Sequence, residues 1–108
     1  MASISTHVLD TVSGRPARGM AVTLERLEDG SVVEHLTSTS TDDDGRVADL
    51  LGGKRLRTGV YRLTFNTAAY GNTFYPQVQI VFRVSDPDEH HHIPLLLSAY
   101  GYTTYRGS

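Results

Sequence analysis

The feature that most limits the fold is the absence of any sustained helical period. Apolar residues recur at every second position in short runs, and each run is closed by a turn signal after about 8–12 residues. In "SISTHVLD", Ile4, Thr6 and Val8 take one face, while Ser5, His7 and Leu9 take the other. "TVSGRPARG" breaks regular structure at Gly14, Pro16 and Gly19. "MAVTLERL" and "SVVEHLTSTS" are joined through Asp29-Gly30, a hairpin signal. An acidic turn, "TDDDGR", leads into a further extended stretch, "VADLL".

The second half repeats the pattern. Tyr61, Leu63 and Phe65 share a face against Arg62 and Thr64, and "TAAYGNT" has room for one helical turn. Val78, Ile80, Phe82 and Val84 then oppose Gln77, Gln79 and Arg83. After the turn "SDPDE", "HHHIPLLLS" and "YTTYRGS" read as two closing strands around Ala99-Tyr100-Gly101. About eight short strands at this spacing predict an all-β, antiparallel sandwich with at most one short helix. With no internal repeat or linker, residues 1–108 are expected to form a single domain.

Composition removes several function classes. There is no cysteine, which excludes disulfides, thiolate nucleophiles and zinc-thiolate sites. Ten basic residues against twelve acidic ones leave a net charge of -2, which argues against nucleic acid as a partner. No run approaches the ~18 apolar residues of a membrane span. The opening residues lack the basic and apolar regions of a secretion signal, so a soluble, cytoplasmic protein is expected.

Strand phase gives the histidines different meanings. His35 lies among Glu34 and hydroxyl residues and reads as surface. His7 falls on the face opposite Ile4 and Val8, and His90 and His92 fall opposite Ile93, Leu95 and Leu97, together with Leu96. An outer face that mixes histidine with leucine fits a subunit interface that holds polar groups. Three chemistries remain open there: an exposed polar cluster, general acid–base catalysis, or a three-histidine zinc site from His7, His90 and His92. Arg46 either balances the three aspartates of its turn or presents a guanidinium fork to an oxygen-rich ligand. The acidic turn lacks the spacing of a calcium loop. No serine-nucleophile motif or phosphate-binding glycine loop is present.

The stretches "STHVLDTVSGRPARGM", "TDDDGR" and "HHHIPLLLSAYGYTTYRGS", in that order, resemble the 5-hydroxyisourate hydrolases, the purine-catabolic branch of the transthyretin fold family. The terminal Tyr-Arg-Gly-Ser is the most specific part, since transthyretin carriers lack it. Two positions depart from the family pattern. His91 replaces the tyrosine of a usual His-Tyr-His, and Ala99 replaces a proline.

The resemblance implies a transthyretin-like sandwich that assembles as a homotetramer, a dimer of dimers, with a cleft at the subunit interface. It implies hydrolysis of 5-hydroxyisourate to 2-oxo-4-hydroxy-4-carboxy-5-ureidoimidazoline without a cofactor or metal. His7, Arg46, His92 and Ser108 then fall on catalytic positions, and His90, Tyr105, Arg106 and Gly107 on substrate-binding ones. In that mechanism the two histidines hold and deprotonate water, Arg46 stabilises negative charge and Ser108 orients an imidazole. The alternative is a small-molecule carrier of the same fold without catalysis.

Overall fold

The computed structural model describes residues 3–108. Nine strands and one helical turn follow in chain order: β1 (Ser3–Asp10), β2 (Arg15–Pro16), β3 (Ala21–Glu28), β4 (Ser31–Ser40), β5 (Arg46–Val47), β6 (Gly59–Phe65), α1 (Thr67–Tyr70), β7 (Val78–Val84), β8 (His90–Leu97) and β9 (Tyr102–Thr104). They form two sheets. One runs β4-β3-β6-β7; the other runs β2-β1-β8-β9, with β5 also paired to β1. The expected all-β sandwich is therefore present, and its pairings are antiparallel with one exception. β1 and β8 run parallel over their full lengths.

The period-2 pattern builds the core. Ile4, Val8, Ile93, Leu95 and Leu97 from one sheet meet Val22, Leu24, Leu63, Phe65, Val78 and Val84 from the other, all buried. Tyr61 is fully buried, and its hydroxyl is satisfied at one main-chain residue. It donates to the Arg57 carbonyl at 2.8 Å and accepts from the Arg57 N–H at 3.1 Å. Phe82 packs against the core but stays half-buried, stacked on Tyr61.

Local chemistry sets the turns. Asp29 and Gly30 both adopt positive φ, at 51° and 80°, as the two-residue hairpin between β3 and β4 requires. The helical turn is capped by Asn66, whose side chain accepts from the Ala69 N–H at 3.2 Å. "VADLL" is strand only at Val47. Asp49 accepts from the Leu51 N–H at 2.9 Å, curling the chain so that Leu50 and Leu51 plug the core. No helix among the described residues is long and apolar enough to cross a membrane.

Candidate active site

Register organises the outer face of the first sheet. Because β1 and β8 are parallel, Ser3 lies beside His90, Ser5 beside His92 and His7 beside Pro94. Alternation turns these side chains away from Ile4, Val8, Ile93 and Leu95. Thr6, on the core side, donates to the Ile93 carbonyl at 2.6 Å and fastens the two strands together.

On the opposite edge of β1, His7 is paired with Arg46. The acidic turn delivers Arg46 there. Asp42 accepts from the N–H groups of Asp44 and Arg46, each at 2.9 Å, and Asp43 pairs with Arg18 at 3.0 Å. Gly45, at φ 75°, presses against β1, and its carbonyl accepts from the Val8 N–H at 2.8 Å. A Cβ at this position would stand 2.5 Å from the Val8 carbonyl oxygen, so only glycine fits. Two of the turn's acids, Asp42 and Asp43, are thus engaged elsewhere. The Arg46 guanidinium is exposed and makes no ion pair among the described residues.

The tail closes the other side. Gly107 forms an isolated bridge to His92, its N–H donating to the His92 carbonyl at 2.8 Å. The approach is tight. A Cβ on Gly107 would stand 2.5 Å from His92 Cδ2 and 3.2 Å from Cγ.

These segments enclose an open hollow of about 300 Å³ lined by Ser5, Thr6, Arg46, Val47, Ala48, His90, His92 and Ser108. Four of the expected site residues, Arg46, His90, His92 and Ser108, therefore share one hollow. His7 stands beside it, across from Arg46, and Gly107 backs His92. Tyr105 and Arg106 lie apart within the protomer. The chain leaves β9 at Thr104, and both residues line a second hollow of about 260 Å³ with His91, Ile80 and Phe82. Arg106 pairs there with Glu89 at 2.7 Å. His91, in the place of the family's tyrosine, is buried on the core side of β8 and donates from Nδ1 to the Glu89 carbonyl at 3.1 Å. His35 is exposed and bonds only to Ser38, at 2.9 Å.

Ser5 is the residue that pattern reading passed over. Its hydroxyl is 2.8 Å from His92 Nδ1 and 3.0 Å from His90 Nε2, between two imidazoles stacked at 6.3 Å. Its shared phase with His7 was the available signal. Among the described residues no three His, Asp or Glu side chains converge as a metal site, and the Ser5 hydroxyl occupies the space between the histidines instead.

Burial holds the His92 imidazole below its ordinary value of 6.5, and the positive charges of His90, Arg46 and His7 add to the effect. A neutral imidazole with a free lone pair, beside an unpaired guanidinium, can deprotonate water and stabilise an oxyanion.

Residues 4–107 match the HIUase/Transthyretin family. A 5-hydroxyisourate hydrolase of Salmonella dublin is 43% identical over 110 residues, covering 97% of this chain and 80% of that protein. The solved 5-hydroxyisourate hydrolase of Klebsiella pneumoniae superposes with a TM-score of 0.85 at 34% identity, covering 100% of this chain and 94% of that one. Sea bream transthyretin, solved in complex with thyroxine, superposes equally well, with a TM-score of 0.85 at 29% identity, over 97% of this chain and 94% of its own. Matched along almost its whole length, the chain belongs to the HIUase/Transthyretin family.

Proposed function

We propose that the protein hydrolyses 5-hydroxyisourate to 2-oxo-4-hydroxy-4-carboxy-5-ureidoimidazoline in urate breakdown, working as a homotetramer in the cytoplasm. The observation that carries the reading is one hollow in which a neutral-leaning imidazole, an unpaired guanidinium and Ser108 meet from three separate segments. His92 and His7 hold the attacking water, and His92 takes its proton. Arg46 binds the oxygen-rich ring and stabilises the charge that develops on the attacked carbonyl. His90 and Gly107 shape the binding wall, and Ser108 orients an imidazole from the rim.

A protomer alone leaves this site open. The chain also exposes Val12, Phe74, Val81 and Tyr100, each more than half accessible, in keeping with assembly into a dimer of dimers that covers apolar surface. In such an assembly Tyr105 and Arg106 act as binding residues from a neighbouring copy. A cysteine-free sandwich needs no oxidising compartment, in keeping with the cytoplasm. Carriage of a small molecule gives no role to an imidazole poised beside a free guanidinium.

The test is ultraviolet decay of 5-hydroxyisourate made in place by urate oxidase, corrected for the spontaneous reaction. The protein should accelerate the decay, and His92→Ala should remove about 10²–10⁴-fold of the rate, the range for one positioned acid–base group. Decay at the background rate with folded protein would put the carrier reading first.

A further inference from the structure

The Ser5 hydroxyl is engaged at both ends by imidazole. It is buried, 7% exposed, and its two ring contacts are the 2.8 Å approach to His92 Nδ1 and the 3.0 Å approach to His90 Nε2. His90 continues the chain outward, its Nδ1 bonded to the Ser3 hydroxyl. Both rings line the hollow, His92 partly buried and His90 exposed to solvent. A serine hydroxyl carries one proton, so it can donate to only one of these rings while accepting from the other. While Ser5 donates to one ring and accepts from the other, the two tautomers are coupled.

With His92 protonated on Nδ1, that N–H donates to Ser5, Ser5 donates to His90 Nε2, and His92 Nε2 is left with a bare lone pair. With the chain reversed, His90 Nε2–H donates to Ser5, Ser5 donates to His92 Nδ1, and His92 Nε2 carries the proton. The first state is a base and the second an acid.

We propose that Ser5 is a positioning residue that couples His92 to His90 as a proton relay, switching His92 from base to acid within one turnover. The inference rests on the hydrolase reading with His92 as the base. As water attacks the ring carbonyl, its proton passes to His92 Nε2. The Nδ1 proton moves to Ser5 as the Ser5 proton moves to His90 Nε2. His92 ends neutral with its proton on Nε2, and the positive charge rests on exposed His90. When the ring C–N bond breaks, His92 Nε2–H protonates the leaving nitrogen, and the relay runs back from His90 through Ser5 to Nδ1. The net transfer is one proton from water to the leaving nitrogen.

The surroundings favour placing the charge on His90. His92 is faced by His7 from β1, Arg46 from β5, Ser108 and the Gly107 main chain from the tail, and His90 on its own strand. A cation held there would be half-buried beside other positive groups. His90 instead meets Ser3, Ser5 and solvent, and the neighbouring Glu89 is held by Arg106 at 2.7 Å.

The experiment compares Ser5→Ala, Ser5→Thr, His90→Gln and the Ser5→Ala/His90→Gln double variant. It reads kcat and KM across pH, together with imidazole nitrogen NMR of the substrate-free protein. Ser5→Ala is expected to lower kcat about 10–100-fold, within the range for general acid–base assistance, with little change in KM. Ser5→Thr, which keeps the hydroxyl, should restore most of the loss. His90→Gln keeps an acceptor for Ser5 but cannot take a proton, so it should match Ser5→Ala, and the double variant should lose no more than either single one. By NMR, His92 should change from the Nδ1–H to the Nε2–H tautomer as His90 becomes protonated, and Ser5→Ala should abolish that linkage.

Unchanged kcat and pH profile in Ser5→Ala overturn the relay. So do additive losses in the double variant, or equal losses in the alanine and threonine variants with a lowered Tm. A wild-type protein without hydrolase activity overturns the underlying reading instead. Independent titration of the two rings by NMR then overturns the coupling on its own.

Discussion

Replacing Gly107 with alanine puts a methyl group into space already held by the His92 ring. The new Cβ would lie 2.5 Å from Cδ2 and 3.2 Å from Cγ. Carbon atoms rest at about 3.5–4.0 Å, so the overlap is roughly 1 Å or more and cannot be absorbed in place. If the tail withdraws, the 2.8 Å bond from the Gly107 N–H to the His92 carbonyl is lost, at a net cost of about 0.5–1.5 kcal/mol. If the ring rotates instead by ~30°, the off-rotamer cost is about 0.5–1.5 kcal/mol. Both routes lose about 1 kcal/mol of stability, which amounts to a few degrees in Tm. Both also displace the imidazole or the tail by about 1 Å, and a misplacement of that size can cost ~10²-fold in rate. Gly107→Ala should therefore lower kcat about 100-fold while thermal unfolding stays cooperative and Tm falls by only a few degrees. The urate-oxidase-coupled decay assay, run beside a thermal melt, measures both. Wild-type kcat in this variant would refute the claim that close approach of the tail sets the position of His92.

Three other perturbations have definite signs. His92 is held below 6.5 by burial and then by its positive neighbours, so between its depressed value and 6.5 the unfolded chain binds more protons than the folded one. Tm should fall as pH drops through that window, and His92→Ala should flatten this part of the profile; an unaltered slope contradicts the assignment. A tag fused directly after Ser108 should reduce activity, since that residue lines the hollow, and full activity in the fusion would show that the rim accepts extra chain. Tyr61→Phe removes the hydroxyl bonded to the Arg57 N–H and carbonyl at 3.1 and 2.8 Å, so denaturant unfolding should show a loss of about 0.5–1.5 kcal/mol, and no change would mean the hydroxyl bonds contribute nothing net.

Much of the fold was legible because a strand alternates with period two. That rule put Ile4, Val8, Ile93 and Leu95 inside, and it left His7, His90 and His92 on a common outer face before any pairing was known. The parallel match of β1 with β8 was not legible. No local signal encodes which of several strands becomes a neighbour across 87 positions of chain. Arg46 was readable as a turn residue, but its freedom from the aspartates became visible only when Asp42 was found bonded to main-chain N–H groups. Ser5 escaped notice because its phase put it on the face of His7 without saying which side chains of another strand would meet it. Its importance comes from which two rings flank it. The tail showed its glycine but not its path, so the separation of Tyr105 and Arg106 from Ser108 was likewise invisible.

The parallel pairing also bears on how the protein comes to exist in the cell. Ser5 and His92 are joined across 87 positions, and Gly107 must arrive before the last wall of the hollow is in place. A growing chain on the ribosome can lay down the β4-β3-β6-β7 sheet early, through neighbouring antiparallel pairings. β1 must wait, with Ile4 and Val8 uncovered, until β8 has been synthesised. Contacts of such long sequence separation form late, because loop closure must come first. The waiting strand is thus the segment most exposed to mispairing or chaperone capture during translation. The wall of the hollow would then form only after β8 has paired with β1 and Gly107 has docked on His92.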